Sequence, residues 1–135
     1  MSRRKYREKI IFNLYELDLM GNSNFDKETE AGKTTLDIIS KMEKIDEVIE
    51  SNLYNYKLYR LAYLDKAIIR LATYEMIYTK EPKQVIINEA IELTKEYSDI
   101  DDKQKAFTNK VLDNIKNNLG DISEWTKIFN SQCIS

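Results

Sequence analysis

Apolar residues recur along most of this chain at steps of three and four, the period at which side chains share one face of an α-helix. Over residues 3–20 the stripe is Tyr6, Ile10, Leu14 and Leu17 with Ile11 and Tyr15 beside it, and the polar run Gly21, Asn22, Ser23, Asn24 ends it. Over 27–53, Leu36, Ile39, Met42, Ile45, Val48, Ile49 and Leu53 give one or two acidic helices, with room for a break near Lys44 that no proline or glycine marks. Over 64–79, Leu64, Ala67, Ile68, Leu71, Tyr74 and Tyr78 form a further stripe. Pro82 closes it, because proline cannot continue the backbone ladder and disfavours the helical conformation in the residue before it. The next helix begins within two or three residues of Pro82 and runs to about Tyr97 on Ile86, Ile87, Ala90, Ile91, Leu93, Thr94 and Tyr97.

Residues 98–102 read as a turn from which Asp101 or Asp102 caps a helix to about Leu119, carrying Phe107, Val111, Leu112 and Ile115 inward. Gly120 stands where a left-handed C-cap belongs. Asp121 or Ser123 then caps a short last helix bearing Ile122, Trp125, Ile128 and Phe129. With no internal repeat and no linker, the expectation is an all-α fold of two helical subbundles sharing a core, residues 1–120, followed by a short C-terminal helical tail, 121–135.

Composition narrows the chemistry more than the fold. Of 135 residues 42% are apolar and only three are Gly and one Pro, which is too apolar for disorder and too poor in breakers for a many-turned β fold. There is no histidine and one cysteine, Cys133, so an internal disulfide, Cys/His zinc sites, imidazole bases and the usual nucleophilic triads are excluded. The carboxylates are scattered. No catalytic residue, metal ligand or cofactor is assigned, and the chain is expected not to be an enzyme. The apolar run of the first helix is broken by Asn13, Glu16 and Asp18, no cleavage site follows, and no stretch has the length of a membrane span, so the expected compartment is the cytoplasm.

Charge adds a polarity. Residues 1–9 hold five basic side chains, Arg3, Arg4, Lys5, Arg7 and Lys9, against Glu8, whereas residues 16–50 hold ten carboxylates against four lysines. Cations in the first turn of a helix oppose its macrodipole, and a sequence keeps such an arrangement when something anionic offsets it. Taken alone, such a run reads first as a solvated, frayed helix start; RNA phosphate is the anion that would instead offset it, each lysine or arginine that meets one releasing condensed counterion. The acidic stretch is read as a solvated face, part of which could meet a basic partner. The run Tyr54, Tyr56, Lys57, Tyr59, Arg60, Tyr63 interleaves aromatic and basic residues as single-strand binders do, but the expected placement is rings on the core or its rim with hydroxyls at water. Asn88, mid-helix, is expected to make a buried hydrogen bond, linking the bundles through Asn109. Arg70 and Glu75, five apart, are not helix neighbours, so no pair is assigned to them.

Two segments go beyond periodicity. Residues 66–75 read Lys-Ala-Ile-Ile-Arg-Leu-Ala-Thr-Tyr-Glu, and 85–95 read Val-Ile-Ile-Asn-Glu-Ala-Ile-Glu-Leu-Thr-Lys; Phe107-Thr108-Asn109-Lys110-Val111-Leu112-Asp113 closes the set. With Arg4, Arg7, Glu8 and Leu14-Tyr15, these closely resemble the NusB family of bacterial transcription antitermination factors over residues 3–119. The resemblance implies two three-helix bundles packed roughly perpendicular. It also implies a role without chemistry: pairing with NusE, a small-subunit ribosomal protein, to capture the boxA element of nascent RNA, so that the RNA polymerase antitermination complex keeps transcribing ribosomal RNA operons. Arg3, Arg4 and Arg7 match the family's RNA-contacting arginine-rich start, with Lys5 in the same basic run. Lys103, Lys105 and Phe107 match a region near RNA, and Phe107 could stack a base. Tyr15 and Asp65 match positions that look toward NusE. The alternative is a NusB-like protein-interaction module without sequence-specific RNA binding. The chain is expected to be a monomer or a weak homodimer. Ribosomal RNA methyltransferases carry the same fold, but with no glycine-rich cofactor loop here the free-standing factor is the expected form. Two departures are visible: Lys110 stands where the family usually has Gly or Ala, and the turn before Phe107 is longer than in many relatives.

Overall fold

Each apolar stripe folds as a helix. The computed structural model describes residues 2–22, 24–54, 57–97 and 102–133, with the backbone alone at 102 and from 120 onward. The described residues form α1 (Arg3–Met20), α2 (Glu30–Ser40), α3 (Met42–Glu50), α4 (Tyr63–Tyr78), α5 (Lys83–Tyr97) and α6 (Asp102–Cys133), with a turn of 3₁₀ helix at Leu58–Arg60 and no strand. The N-terminal helices α1–α3 and the C-terminal helices α5 and α6 meet on α4, against which α1, α3, α5 and α6 all pack. This is the all-α, two-group architecture expected.

Local chemistry sets the helix ends. Ser2 caps α1 by accepting a hydrogen bond from the Lys5 backbone N–H at 3.2 Å. Gly21 ends it in the left-handed conformation, φ 76°, with its N–H on the Leu17 carbonyl, a conformation that costs glycine least. Thr29 caps α2 by accepting from Gly32 N–H at 3.0 Å and donates its own hydroxyl proton to the Asp26 carbonyl, also at 3.0 Å. A Cβ on Gly32 would sit 1.9 Å from that carbonyl oxygen, so the loop before α2 closes against a residue that has no side chain.

The core is built largely of isoleucine: Ile10 and Ile11 of α1, Ile38 of α2, Ile45 and Ile49 of α3, Ile68 and Ile69 of α4, and Ile86 and Ile87 of α5 are sealed from solvent, as are Leu14, Leu93 and Leu112. Each such side chain stabilises the fold by about 1.5–3 kcal/mol relative to exposure. At the centre is α4, which packs on α1, α3, α5 and α6 and is buried at every position from Asp65 to Met76. A helix apolar on every face is an interior helix, and its charges must then be paired. Arg70 donates to Asp46 of α3 at 2.8 and 2.9 Å and to Asp18 of α1 at 2.9 and 3.1 Å, with the Lys66 ammonium 3.7 Å from Asp18. Burial works against the Arg70 charge, but the hydrogen bonds and fields of Asp46 and Asp18 outweigh it and hold the guanidinium more firmly protonated than in water.

The structure differs from the sequence expectation in four places. The break between α2 and α3 falls at Lys41 rather than near Lys44. There the Ser40 hydroxyl donates to the Asp37 carbonyl at 2.7 Å, a side-chain bond that competes with the helical ladder, beside an ion pair of the Lys41 ammonium with the Asp37 carboxylate at 2.5 Å. Gly120 does not stop α6, whose backbone runs on as one helix to Cys133. Tyr54 and Tyr59 are 67% and 71% exposed, not on the core or its rim, because Leu53, Leu58 and Leu61 take the interior places of that segment. Part of the acidic stretch turns inward, Asp18 and Asp46 serving Arg70, while the Asp37 side chain stays 43% exposed and accepts from the Tyr74 hydroxyl at 2.6 Å. The caps expected at Asp101 or Asp102, the ring of Tyr56, the apolar face at Ile122, Trp125, Ile128 and Phe129, and the Cys133 thiol lie outside the described residues. Among those described, no helix is long and apolar enough to cross a membrane.

Candidate nucleic-acid interface

The first two turns of α1 carry every basic residue of the N-terminal run and no acid in the first turn. Their electrostatic cost is met by carboxylates from α4, α5 and the loop between them. Arg7 is buried, 3% exposed, and lies fork to fork on Glu75 of α4: Nε donates to Oε1 and Nη2 to Oε2, each at 3.0 Å, and Nη2 also reaches Glu81 at 3.0 Å. Burial opposes the Arg7 charge, and Glu75 followed by Glu81 outweighs it, so the guanidinium is held protonated. For Glu81, partial burial pushes toward the neutral acid, but the hydrogen bond from Arg3 and the charge of Arg7 prevail and hold its carboxyl below the usual range. Arg7 therefore departs from its expected place at the RNA surface. Its charge is consumed inside the protein, where it pins α1 to α4.

Arg3 and Arg4 are placed differently. Arg3 binds Glu81 at 2.5 Å and reaches Glu75 at 3.4 Å, with its guanidinium over the Tyr6 ring, yet its side chain remains 58% exposed. Arg4 crosses to α5, 2.7 Å from Glu96 and 3.7 Å from Glu89. Lys5 and Lys9, one turn apart, are exposed and make no ion pair among the described residues.

Beyond Glu89 an open groove of about 920 Å³ runs between α5 and α6, with Glu89 and Lys105 both in its wall. The Arg4 edge and Lys105 thus flank the same side of α5. Lys103 is exposed on the first turn of α6, and Phe107 packs against the core with part of its surface open. Asn88 and Asn109 line the groove as exposed residues, so the buried bond expected between them is not made; Asn88 instead accepts from the Gln84 amide at 3.0 Å. Lys110 points to solvent, which is how the chain accommodates a lysine at that position.

At the other end of α1, Tyr15 packs edge-on against Tyr63, ring centroids 6.4 Å apart. Tyr63 is 42% exposed and its ring sits 5.2 Å from the Lys66 ammonium. Asp65, two residues on, is only 8% exposed, so the tyrosine pair dominates what this end presents.

Sequence reasoning missed Glu75, Glu81, Glu89 and Glu96 as the partners of the arginines, and Tyr63 beside Tyr15. A signal existed for Glu75 alone: it is a carboxylate in a helix whose neighbours are apolar on every side, and such a group needs a cation.

Residues 27–117 match the model of the NusB family. The transcription antitermination protein NusB of Bacillus licheniformis is 41% identical over 130 residues, covering 88% of this chain and 99% of that protein. The one from Bacillus subtilis is 38% identical with 88% and 98% covered. Among solved structures, NusB of T. maritima superposes with a TM-score of 0.76 at 27% identity, covering 87% of this chain and 92% of that one. With the helical architecture above and relatives matched over nearly their whole length, this chain belongs to the NusB family of transcription antitermination proteins.

Proposed function

We propose that this chain captures boxA RNA of nascent ribosomal RNA transcripts together with NusE, within the RNA polymerase antitermination complex in the cytoplasm, and that it works by binding rather than by chemistry. The observation that carries this reading is the cationic edge of α1, where Arg3, Arg4, Lys5 and Lys9 stand at solvent and Arg4 reaches Glu89, which shares a groove wall with Lys105 of α6. Side chains of this type position the phosphate backbone, while bases in single-stranded RNA are discriminated by stacking and edge contacts, for which the open part of Phe107 and the region around Lys103 are the candidates. Arg7 serves by positioning α1. Tyr15, with Tyr63 and Asp65, forms the NusE face.

The cationic patch is small and the chain carries a formal charge of −2, so affinity for RNA alone is modest and NusE raises it. That coupling acts equally in both directions. The test is a titration of boxA-type RNA and a scrambled RNA of equal composition, with and without NusE, at two salt concentrations. Tighter, salt-sensitive binding of the boxA sequence that strengthens with NusE is the expected result. Equal, weak binding of both RNAs in every condition would favour the second reading, a protein-interaction module. The fact that Arg3 and Arg4 already hold carboxylates is what speaks for an acidic protein on the same edge.

A further inference from the structure

Three arginines at the start of α1 hold carboxylates, but under two different conditions. The Arg7–Glu75 pair is closed, with side chains 4% and 6% exposed. The Arg4–Glu96 pair is open, at 37% and 49%, and so is Arg3, at 58%, on Glu81. A guanidinium presents the same parallel N–H fork to a carboxylate and to a phosphate. An exposed ion pair is worth little, so a phosphate can replace it, whereas opening a buried pair strands a charge in the interior.

We propose that Glu96 and Glu89 of α5, seconded by Glu81, are threshold-setting residues that occupy the phosphate positions of the RNA-binding edge until RNA displaces them. The proposal rests on the RNA-binding reading above. Glu89 and Glu96 are seven residues apart, two turns along one face of α5, and both aim at Arg4. Lys5 and Lys9, which have no carboxylate of their own among the described residues, are the positions where a phosphate lands without competition. RNA therefore meets the lysines first and the arginines by exchange of partner. A strand held only by stray phosphate contacts loses part of its gain to the exchange, and one with additional base contacts overcomes it. The carboxylates raise the threshold for capture without reading sequence themselves.

The experiment measures the affinity of the full chain for boxA-type and scrambled single-stranded RNA in the wild type, Glu96→Gln, and Glu89→Gln/Glu96→Gln, and then Glu96→Gln in an Arg4→Ala background. Glu92→Gln makes the same charge change one turn away on α5, in a side chain with no ion pair among the described residues. Expected for Glu96→Gln is tighter binding of both RNAs by about two- to fivefold, the range an exposed ion pair spans, with the ratio between them unchanged. Glu92→Gln gains clearly less, and the Glu96→Gln gain collapses once Arg4 is alanine. Because Glu96 is half exposed, the variant keeps the wild-type melting temperature. A wild type too weak to measure beside a double variant that binds also supports the proposal. An equal gain from Glu92→Gln, a gain that survives Arg4→Ala, or no gain at all overturns it while leaving RNA binding intact. No RNA binding by any variant ends both readings together.

Discussion

The guanidinium of Arg7 and the carboxylate of Glu75 face each other through two 3.0 Å hydrogen bonds inside the protein, 68 residues apart in sequence. The pair ties the start of the first helix to the end of the central one. Removing either member strips the other, still buried, of its main partner, leaving Arg7 only Glu81 at 3.0 Å or Glu75 only Arg3 at 3.4 Å. Arg7→Ala and Glu75→Gln are each expected to lower unfolding free energy by about 3–5 kcal/mol, read by denaturant titration. Replacing both by apolar residues of similar volume should recover much of that loss.

Arg4→Ala has the opposite profile. Its side chain is more than a third exposed, so the melting temperature should hold. RNA affinity should fall, and the slope of log affinity against log salt should shrink by about one, the signature of one lost phosphate contact. Lys5→Ala should behave in the same way.

Gly32→Ala tests the closed loop before α2. The added methyl would meet the Asp26 carbonyl oxygen at 1.9 Å, far inside contact, so backbone must move. A loss of about 2 kcal/mol or more is expected from overpacking, visible as a lowered melting temperature with RNA contacts untouched.

Stability should fall on acidification. The carboxyl of Asp37 is held below its ordinary value by hydrogen bonds from Lys41 and Tyr74, and that of Glu81 is held low by Arg3 and Arg7 against the pull of burial. A depressed folded value means the unfolded chain takes up the proton first. The stability from these groups is therefore complete above the ordinary carboxylate range and lost as pH drops through their folded values. Tyr74 works from the other side. Burial, then its bond to Asp37, pushes the phenol up, so its contribution is present at neutral pH and lost only when strong alkali passes its folded value. Melting curves from pH 3 to 7 for wild type and Glu81→Gln check the acid limb, which should be shallower in the variant.

Tyr63→Ala should weaken NusE binding while sparing binding of RNA alone, because Tyr63 supports Tyr15 at the far end of α1 from the arginines. Equal losses in both assays would tell against a separate protein-binding face.

The helices themselves were legible because their apolar spacing is strong. The break at Lys41 was not, because Ile38 and Ile45 lie seven apart, a step that an unbroken helix keeps just as well. Gly120 was misleading for the reverse reason: a glycine lowers helix propensity but does not forbid a helix. At the candidate interface, the basic run was plain in the sequence, and its division into one sealed arginine and two open ones was not. That division depends on Glu75, Glu81, Glu89 and Glu96, which approach from 68 to 92 residues away, a separation no local rule spans. The same distance hid the partners of Arg70, where a spacing rule within one helix correctly assigned no bond to Glu75 and could say nothing of Asp18 and Asp46.

The burial of α4 on every side bears on how the protein is made. While the chain leaves the ribosome, α4 emerges after α1, α2 and α3 but before α5 and α6, the two helices that cover the rest of it. For that interval a helix meant for the interior is half dressed, with Ile68, Ile69 and Leu71 short of neighbours. The final layer arrives only with Leu112, Ile115 and Leu119, near the far end of the described core. A chain from which Val111 onward has not yet emerged therefore leaves that flank of α4 facing water, an apolar surface open to other chains.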